Sequence, residues 1–134
     1  MGHSKFVCLD VGQRRIGIAL GDYGLKLAWP HSTVVVDGQE AQKLGEIFKT
    51  EAVIAIVIGR PRNQRGDVTE QTKLVEEFVN KVVKKFKLPI YWQDESVTSV
   101  LAEEQLKASG KPYKKEDIDS RAAAIILQDF LEKL

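Results

Sequence analysis

Three acidic positions are the candidates for chemistry in this chain, because each is placed at the end or the start of a predicted apolar element. Asp10 closes the apolar run over residues 6–9, and Glu95, with Asp94 beside it, closes the last predicted strand. Asp119 falls in the first turns of the last predicted helix. Acids at the carboxyl ends of strands lie where α/β sheets place their ligands. Carboxylates that come together repel unless one is protonated or a divalent cation lies among them. Because Mg²⁺ and Mn²⁺ prefer oxygen ligands and assist phosphodiester cleavage, these acids predict a metal-dependent hydrolase.

Asp10 and Asp94 also have ordinary structural interpretations. In strand alternation Asp10 lies on the same face as Phe6 and Cys8, where an ionised acid is costly without a cation or strong donor. It precedes Gly12 by two residues, so a turn-capping aspartate is the alternative. Asp94 fits a residue that orients a ligand or water, and it fits the cap of the following helix equally well.

Asp117 and Asp119 both precede the same apolar run, and helical geometry separates them. At about 100° per residue, Ala123 and Ile126 fall close to Asp119 on the helical wheel, on the side that should pack on the sheet. Asp117 points away and is predicted to support the helix N-terminus. Asp119 is therefore the acid that needs a partner on the buried side.

Five arginines are candidates for phosphate contacts. Arg14 and Arg15 occupy the turn after Asp10, and the segment 60–66 contains three arginines and no acid. They are Arg60, Arg62 and Arg65. The net charge of +1 gives no global attraction to nucleic acid, so any basic footprint has to be local. The alternative for each arginine is solvated surface charge.

Composition indicates one ordinary globular domain over residues 1–134. The chain is 43% hydrophobic and 29% charged, and its single cysteine, Cys8, is expected to be a small buried residue in a reducing compartment. It contains no CxxC, HExxH or P-loop motif. No apolar run approaches transmembrane length and no signal region precedes Lys5, so we expect a cytoplasmic protein with no membrane contact.

The elements that must position these residues follow from hydrophobic periodicity. The predicted order is β-β-β-α-β-α-β-α-α, which indicates an α/β fold with a mixed sheet and helices on both faces. The strands are predicted at residues 6–9, 16–20, 27–36, 53–59 and 88–92, with the last strand running on into residues 93–95. The helices are predicted at 41–50, after 67–70 through about 86, at 97–108 and at 115–134. Trp29 and Pro30 predict an irregular or edge third strand. Asp67 and Glu70 have the spacing of a capping box.

The motifs, taken in order, resemble the YqgF/RuvX family, whose members are described as pre-16S rRNA nucleases or Holliday junction resolvases with an RNase H-like fold. The resemblance covers nearly the whole chain. It rests on residues 9–12, 14–19, 21–22, 57–59, 61, 63, 66, 94–95, 98–99, 118–119, 122–123 and 126–127. It implies that Asp10, Glu95 and Asp119 are catalytic acids that bind Mg²⁺ or Mn²⁺. It also implies a five-stranded mixed sheet whose first three strands form an antiparallel meander.

Three positions depart from the family pattern. Arg60 stands where an aliphatic residue is usual, Gln64-Arg65 replaces a commonly acidic stretch, and Ser96 replaces a common arginine. None of them affects the three acids. They bear on how the substrate backbone is held, and the three arginines of segment 60–66 are expected to supply contacts that an arginine at 96 would make.

The expected function is therefore metal-assisted hydrolysis of structured nucleic acid, most directly maturation of the 5′ end of pre-16S rRNA. Resolution of Holliday junctions and non-cleaving RNA binding in ribosome assembly are the alternatives. An actin-like or sugar-kinase ATPase also begins with Asp-x-Gly, but it needs a second domain that this length does not accommodate. Monomer and homodimer both stay open.

Overall fold

The computed structural model describes residues 4–61, 67–95 and 98–134. The strands are β1 (Lys5–Val11), β2 (Arg15–Asp22), β3 (Leu27–Val35), β4 (Val53–Pro61) and β5 (Ile90–Glu95). The helices are α1 (Glu40–Thr50), α2 (Glu70–Lys81), α3 (Thr98–Ala108) and α4 (Lys115–Glu132), with a 3₁₀ turn over Val83–Phe86. This order confirms the predicted one.

The strands form one mixed sheet in the order β3-β2-β1-β4-β5. β1 pairs antiparallel with β2, and β2 pairs antiparallel with β3, which confirms the meander. β4 runs parallel to β1 and to β5. β3 is an edge strand, and the ladder with β2 shifts register next to Pro30, as expected for a proline that cannot donate to the ladder.

Strand alternation divides the core into two layers on opposite faces of the sheet. On one face Val7 and Leu9 of β1 pack with side chains of α1 and α2, including Leu44 and Val75. We call this the α2 face. On the other face Phe6, Cys8 and Val57 pack against the α4 residues Ala123, Ala124, Ile126, Leu127 and Leu131. We call this the α4 face; α3 packs on the outside of α4. Helices on both faces are thereby confirmed.

The start of α2 differs from the predicted capping box. Thr69, not Asp67, is the N-cap, and its hydroxyl accepts a hydrogen bond from the backbone N–H of Thr72 at 3.3 Å. The Thr72 hydroxyl in turn accepts from the backbone N–H of Thr69 at 3.0 Å and donates to the carbonyl of Pro61. A buried threonine can make both bonds, so the box is shifted by two residues from the Asp67–Glu70 pair.

The end of α2 also differs from prediction. The helix stops at Lys81, and the apolar pattern continues through a 3₁₀ turn that ends at Lys87 in the left-handed conformation, with φ of 58°. Val83 is still buried there. The periodicity alone cannot show this break, because a 3₁₀ turn keeps the apolar side chains on the same side over so short a segment.

Candidate active site

The acidic site lies on the α4 face, at the carboxyl ends of β1 and β5. Asp10 is the next inward residue of β1 after Cys8, and it pairs in register with Gly17 of β2. The pKa of the Asp10 carboxyl is raised from 3.8 to about 6, first by burial and then by the nearby charge of Asp119. A side-chain hydrogen bond with Glu95 lowers the pKa in part. The structure thus brings the three predicted acids into electrostatic contact around Asp10.

Asp10 and Glu95 form a hydrogen-bonded pair of carboxyl groups. Such a bond requires a proton on one of the two, since ionised carboxylates only accept. Two carboxylates that lie too close together to be ionised at the same time share a proton. A cation bound between them can replace that proton. Cys8 lies directly behind the pair. Burial raises the pKa of its thiol, and the charges of Asp10 and Glu95 raise it further, which fits the predicted small buried residue.

Asp119 has a different partner. The Arg15 guanidinium donates from Nε to Asp119 Oδ2 at 2.5 Å, and both side chains are partly exposed, at 33% and 25%. This bond and the charge of Asp119 raise the pKa of Arg15. Arg15, which the sequence suggested for a phosphate contact, therefore holds one of the acids.

The predicted helix register of the two aspartates is confirmed. Asp117 lies at the third position of α4, and its Oδ2 accepts a hydrogen bond from the backbone N–H of Lys114 at 2.8 Å. Asp119 faces the sheet, where its backbone carbonyl and Cβ lie against Gly17.

Two glycines allow this approach, and the sequence reasoning had treated them only as parts of motifs. A Cβ at Gly17 would lie 2.1 Å from the carbonyl oxygen of Asp119, and a Cβ at Gly59 would lie 2.9 Å from Oε2 of Glu95. Both glycines are inside strands, where an isolated glycine indicates a bulge or a close backbone approach. That signal was available in the sequence, but only the structure shows which acids come close.

The remaining predicted residues lie elsewhere. Arg14 is exposed in the β1–β2 turn. Arg60 is in β4 rather than in the following loop, and alternation with Gly59 turns it to the α2 face, where its guanidinium carbon lies 4.1 Å from the centre of the Trp92 ring. Asp94 alternates with Glu95 and lies on the α2 face as well. Arg62, Arg65 and Ser96 lie outside the described residues.

The acids of this site are candidate ligands for a divalent metal ion. Within residues 4–61, 67–95 and 98–134, no three His, Cys, Asp or Glu side chains are grouped closely enough to hold one. Asp119 is paired with Arg15, and it is still close enough for its charge to raise the pKa of Asp10. The pair itself has the right chemistry for Mg²⁺ or Mn²⁺: partly buried carboxyl oxygens, with the pKa of Asp10 raised because a negative charge is unfavourable there.

The sheet order and the antiparallel meander define an RNase H-like fold, with carboxyl groups at the carboxyl ends of β1 and β5. Similar solved structures agree on the fold. Thermus thermophilus RuvC in complex with a Holliday junction substrate matches with a TM-score of 0.60 and 17% identity, over 98% of this chain and 95% of that one. A second T. thermophilus RuvC structure matches with a TM-score of 0.56 and 12% identity, over 96% and 95%.

Sequence comparison identifies the family. The model of the RuvX family, described as Holliday junction resolvase, matches residues 4–133. A Chloroflexus aggregans protein named "Putative pre-16S rRNA nuclease" is 36% identical over 98% of this chain and 96% of its own length. Proteins of the same name from Roseiflexus and from a Wolbachia are 37% and 38% identical, over 96% of this chain in each case. The chain belongs to the RuvX family, and the resemblance seen in the sequence is confirmed.

No helix of the described chain is long and apolar enough to cross a membrane.

Proposed function

We propose that this protein is a metal-dependent nuclease that hydrolyses phosphodiester bonds in structured nucleic acid, with the 5′ end of pre-16S rRNA as its substrate in the cytoplasm. The observation that carries the proposal is the Asp10–Glu95 carboxyl pair at the carboxyl ends of β1 and β5, with Asp119 close enough to raise the pKa of Asp10. The names of the relatives in the RuvX family support the substrate.

The three acids share the task of holding the metal ion in this proposal. Asp10, Glu95 and Asp119 would hold Mg²⁺ or Mn²⁺, which when bound supplies a Lewis acid at the phosphate and lowers the pKa of an attacking water. Asp10 would be the principal ligand, because the pKa of its carboxyl is affected by both Glu95 and Asp119. Glu95 is fixed against β4 by the close approach at Gly59.

Arg15 acts on both the acid and the substrate in this scheme. Its Nε holds Asp119 in place, and its terminal nitrogens lie on a side chain that is one-third exposed. A guanidinium presents several donors in one plane and can bind a carboxylate and a phosphate at the same time. Arg15 is therefore expected to position a phosphate beside the acids, with exposed Arg14 next to it.

The test is cleavage of two substrates by the purified protein with Mn²⁺ or Mg²⁺. One substrate is an RNA that contains the 5′ leader junction of 16S rRNA, and the other is a four-way DNA junction. We expect the RNA to be cut at the mature end, only when the metal is present. Cutting of the DNA junction alone would assign the chain to junction resolution, an activity that the family description names. Tight RNA binding without cleavage under any metal would indicate an assembly factor instead.

A further inference from the structure

A cavity of about 460 Å³ lies on the α2 face, on the opposite side of the sheet from the acids. Its lining is mixed: Arg60, Asn80 and Lys84 are polar donors, and Ile90 and Trp92 are apolar. Glu76 contributes the one carboxylate. The combination of cations, amide donors and an aromatic ring is suited to a nucleotide, which has a charged phosphate and a flat base.

Arg60 is held in this cavity by stacking rather than by an ion pair. Its guanidinium lies over the Trp92 ring at 4.1 Å, and its buried Nε has no hydrogen-bond acceptor among the described residues. No carboxylate in the described chain forms a salt bridge with it. The guanidinium therefore presents its charge beside the Trp92 ring, in a cavity that Glu76 also lines and in register with Asp94 of β5. Both the guanidinium and the indole are groups on which a base can stack.

Lys84 of the cavity lining belongs to a run of lysines. Residues 81–87 contain four lysines and no acid, and all four side chains are exposed. They are Lys81, Lys84, Lys85 and Lys87. None of the four forms a salt bridge within the part of the chain that the structure describes. This is a local basic footprint in a protein whose net charge is only +1.

The cavity and the acidic site are close along the chain although they lie on opposite faces. Arg60 follows Gly59, whose position touches Glu95, and Trp92 precedes Glu95 by three residues on the same strand. β5 is the edge strand on this side of the sheet. An extended polynucleotide that crosses the β5 edge can therefore contact both faces within a few nucleotides.

We propose that this cavity binds an unpaired nucleotide of the nucleic-acid substrate, with the base stacked on the Arg60–Trp92 pair and its phosphate against Lys84. The inference rests on the proposed function, and it specifies a substrate with a single-stranded segment beside the cleaved bond. Double-stranded nucleic acid does not fit, because a paired and stacked base cannot turn into a cavity on the sheet.

The experiment measures binding separately from cleavage. Trp29→Phe leaves Trp92 as the only tryptophan, and Asp10→Asn prevents cleavage during the titration. A 12-nucleotide unstructured RNA is added without metal while Trp92 fluorescence and the anisotropy of a dye on the RNA are followed. We expect quenching of Trp92 that saturates together with the anisotropy. Arg60→Gln with Lys84→Ala should weaken binding by about tenfold. It should also reduce the slope of log K against log salt by roughly one to one and a half units, at about 0.7 per phosphate.

Two control variants make the result specific. Lys43→Ala with Lys49→Ala removes the same charge from α1, which packs on β3 and β4, and it should leave affinity and quenching unchanged. Arg60→Lys keeps the charge but not the plane, so it should preserve the salt slope and lose most of the quenching.

Three results would overturn the inference. The first is an equal loss of RNA affinity in the cavity double variant and in the α1 double variant. The others are RNA binding without quenching of Trp92 and no RNA binding at all. Cleavage of pre-rRNA by the wild-type protein is a separate measurement. If the wild type cleaves and the cavity variants bind normally, only the cavity assignment fails. If the cavity binds RNA and no metal supports cleavage, only the proposed nuclease function fails.

Discussion

The two ends of the α4 face are built from opposite kinds of contact. At the amino end of β1, Phe6 stacks against Tyr91 with ring centres 6.2 Å apart, and Phe130 of α4 packs on both rings. At the carboxyl end, four residues along the same strand, Asp10 meets Glu95 and Asp119. The aromatic contacts stabilise the folded state, whereas the carboxylates at the acidic end repel one another.

This difference shows where stability and function are separated in the molecule. The aromatic contacts and the apolar stripe of α4 hold the helix on the sheet, so that the acids can be kept close although they repel. We expect changes at the acidic end to affect cleavage and to leave or raise stability. Changes at the aromatic end should do the reverse. Four predictions follow this contrast, from the largest expected effect on cleavage to the smallest.

Asp10→Asn should abolish cleavage and stabilise the metal-free protein at pH 7. The folded pKa of about 6 lies above the ordinary 3.8, so the folded state holds this proton more tightly than the unfolded chain. Proton binding by Asp10 therefore stabilises the folded state below about pH 4, and this stabilisation is lost as the pH rises through about 6. The asparagine variant avoids that loss, and at pH 7 its free energy of unfolding should be roughly 1–3 kcal/mol higher than that of the wild type.

Denaturant unfolding between pH 4 and pH 8 measures this effect, with and without Mn²⁺. Mn²⁺ should raise the melting temperature of the wild type and not that of Asp10→Asn. Near wild-type cleavage by the variant would disprove the metal mechanism. If the free energy of unfolding depended on pH in the same way in the wild type and in Asp10→Asn, the ionised Asp10 carboxylate would not be destabilised by its neighbours.

Asp119→Asn should also abolish Mn²⁺-dependent cleavage, because it removes the acid that Arg15 holds beside Asp10. Asp117→Asn is the matched control two residues away. It should leave cleavage nearly intact and cost at most a few tenths of a kcal/mol, since asparagine still accepts the hydrogen bond from the Lys114 N–H. Cleavage rates at saturating metal check both variants. The reverse pattern would mean that the third acid is misassigned.

Gly59→Ala should reduce cleavage roughly ten- to a hundredfold by moving Glu95, because a displacement of about 1 Å at a catalytic group has effects of that size. The new Cβ would lie 2.9 Å from both Glu95 Oε2 and Ile126 Cδ1, so one of them has to shift. Gly45→Ala is the control: its Cβ would lie 3.4 Å from the Phe86 ring, an ordinary contact, and alanine favours the helix. Equal rates for the two variants would show that the position of Glu95 does not depend on Gly59.

Phe130→Leu should leave the cleavage rate per folded molecule unchanged and lower the free energy of unfolding by about 1–2 kcal/mol. The ring loses its contacts with Phe6 and Tyr91, which lie 6.2 and 5.5 Å away between centroids. Leu25→Ala, at a side chain that is 70% exposed, should change neither quantity. A large fall in cleavage for Phe130→Leu, measured below its melting temperature, would show that the two ends are coupled through α4.

Much of the architecture was determined by local patterns in the sequence. Apolar alternation gave β1 and β2 their two faces and placed Asp10 with Phe6 and Cys8, because successive strand residues point to opposite sides wherever the strand lies. Helical periodicity likewise separated Asp119 from Asp117. These properties depend on neighbours within a few residues, so they can be predicted without knowing the tertiary structure.

Tertiary structure alone decided which charged groups meet. Arg15 and Asp119 are 104 residues apart, and their bond exists because Gly17 lets α4 approach β2 closely. The placement of Arg60 needed the true end of β4: a strand ending at Gly59 leaves it in a loop, whereas a strand through Pro61 turns it to the α2 face. The raised pKa of Asp10 also depends on burial and on charges from β5 and α4, which are brought together only by folding.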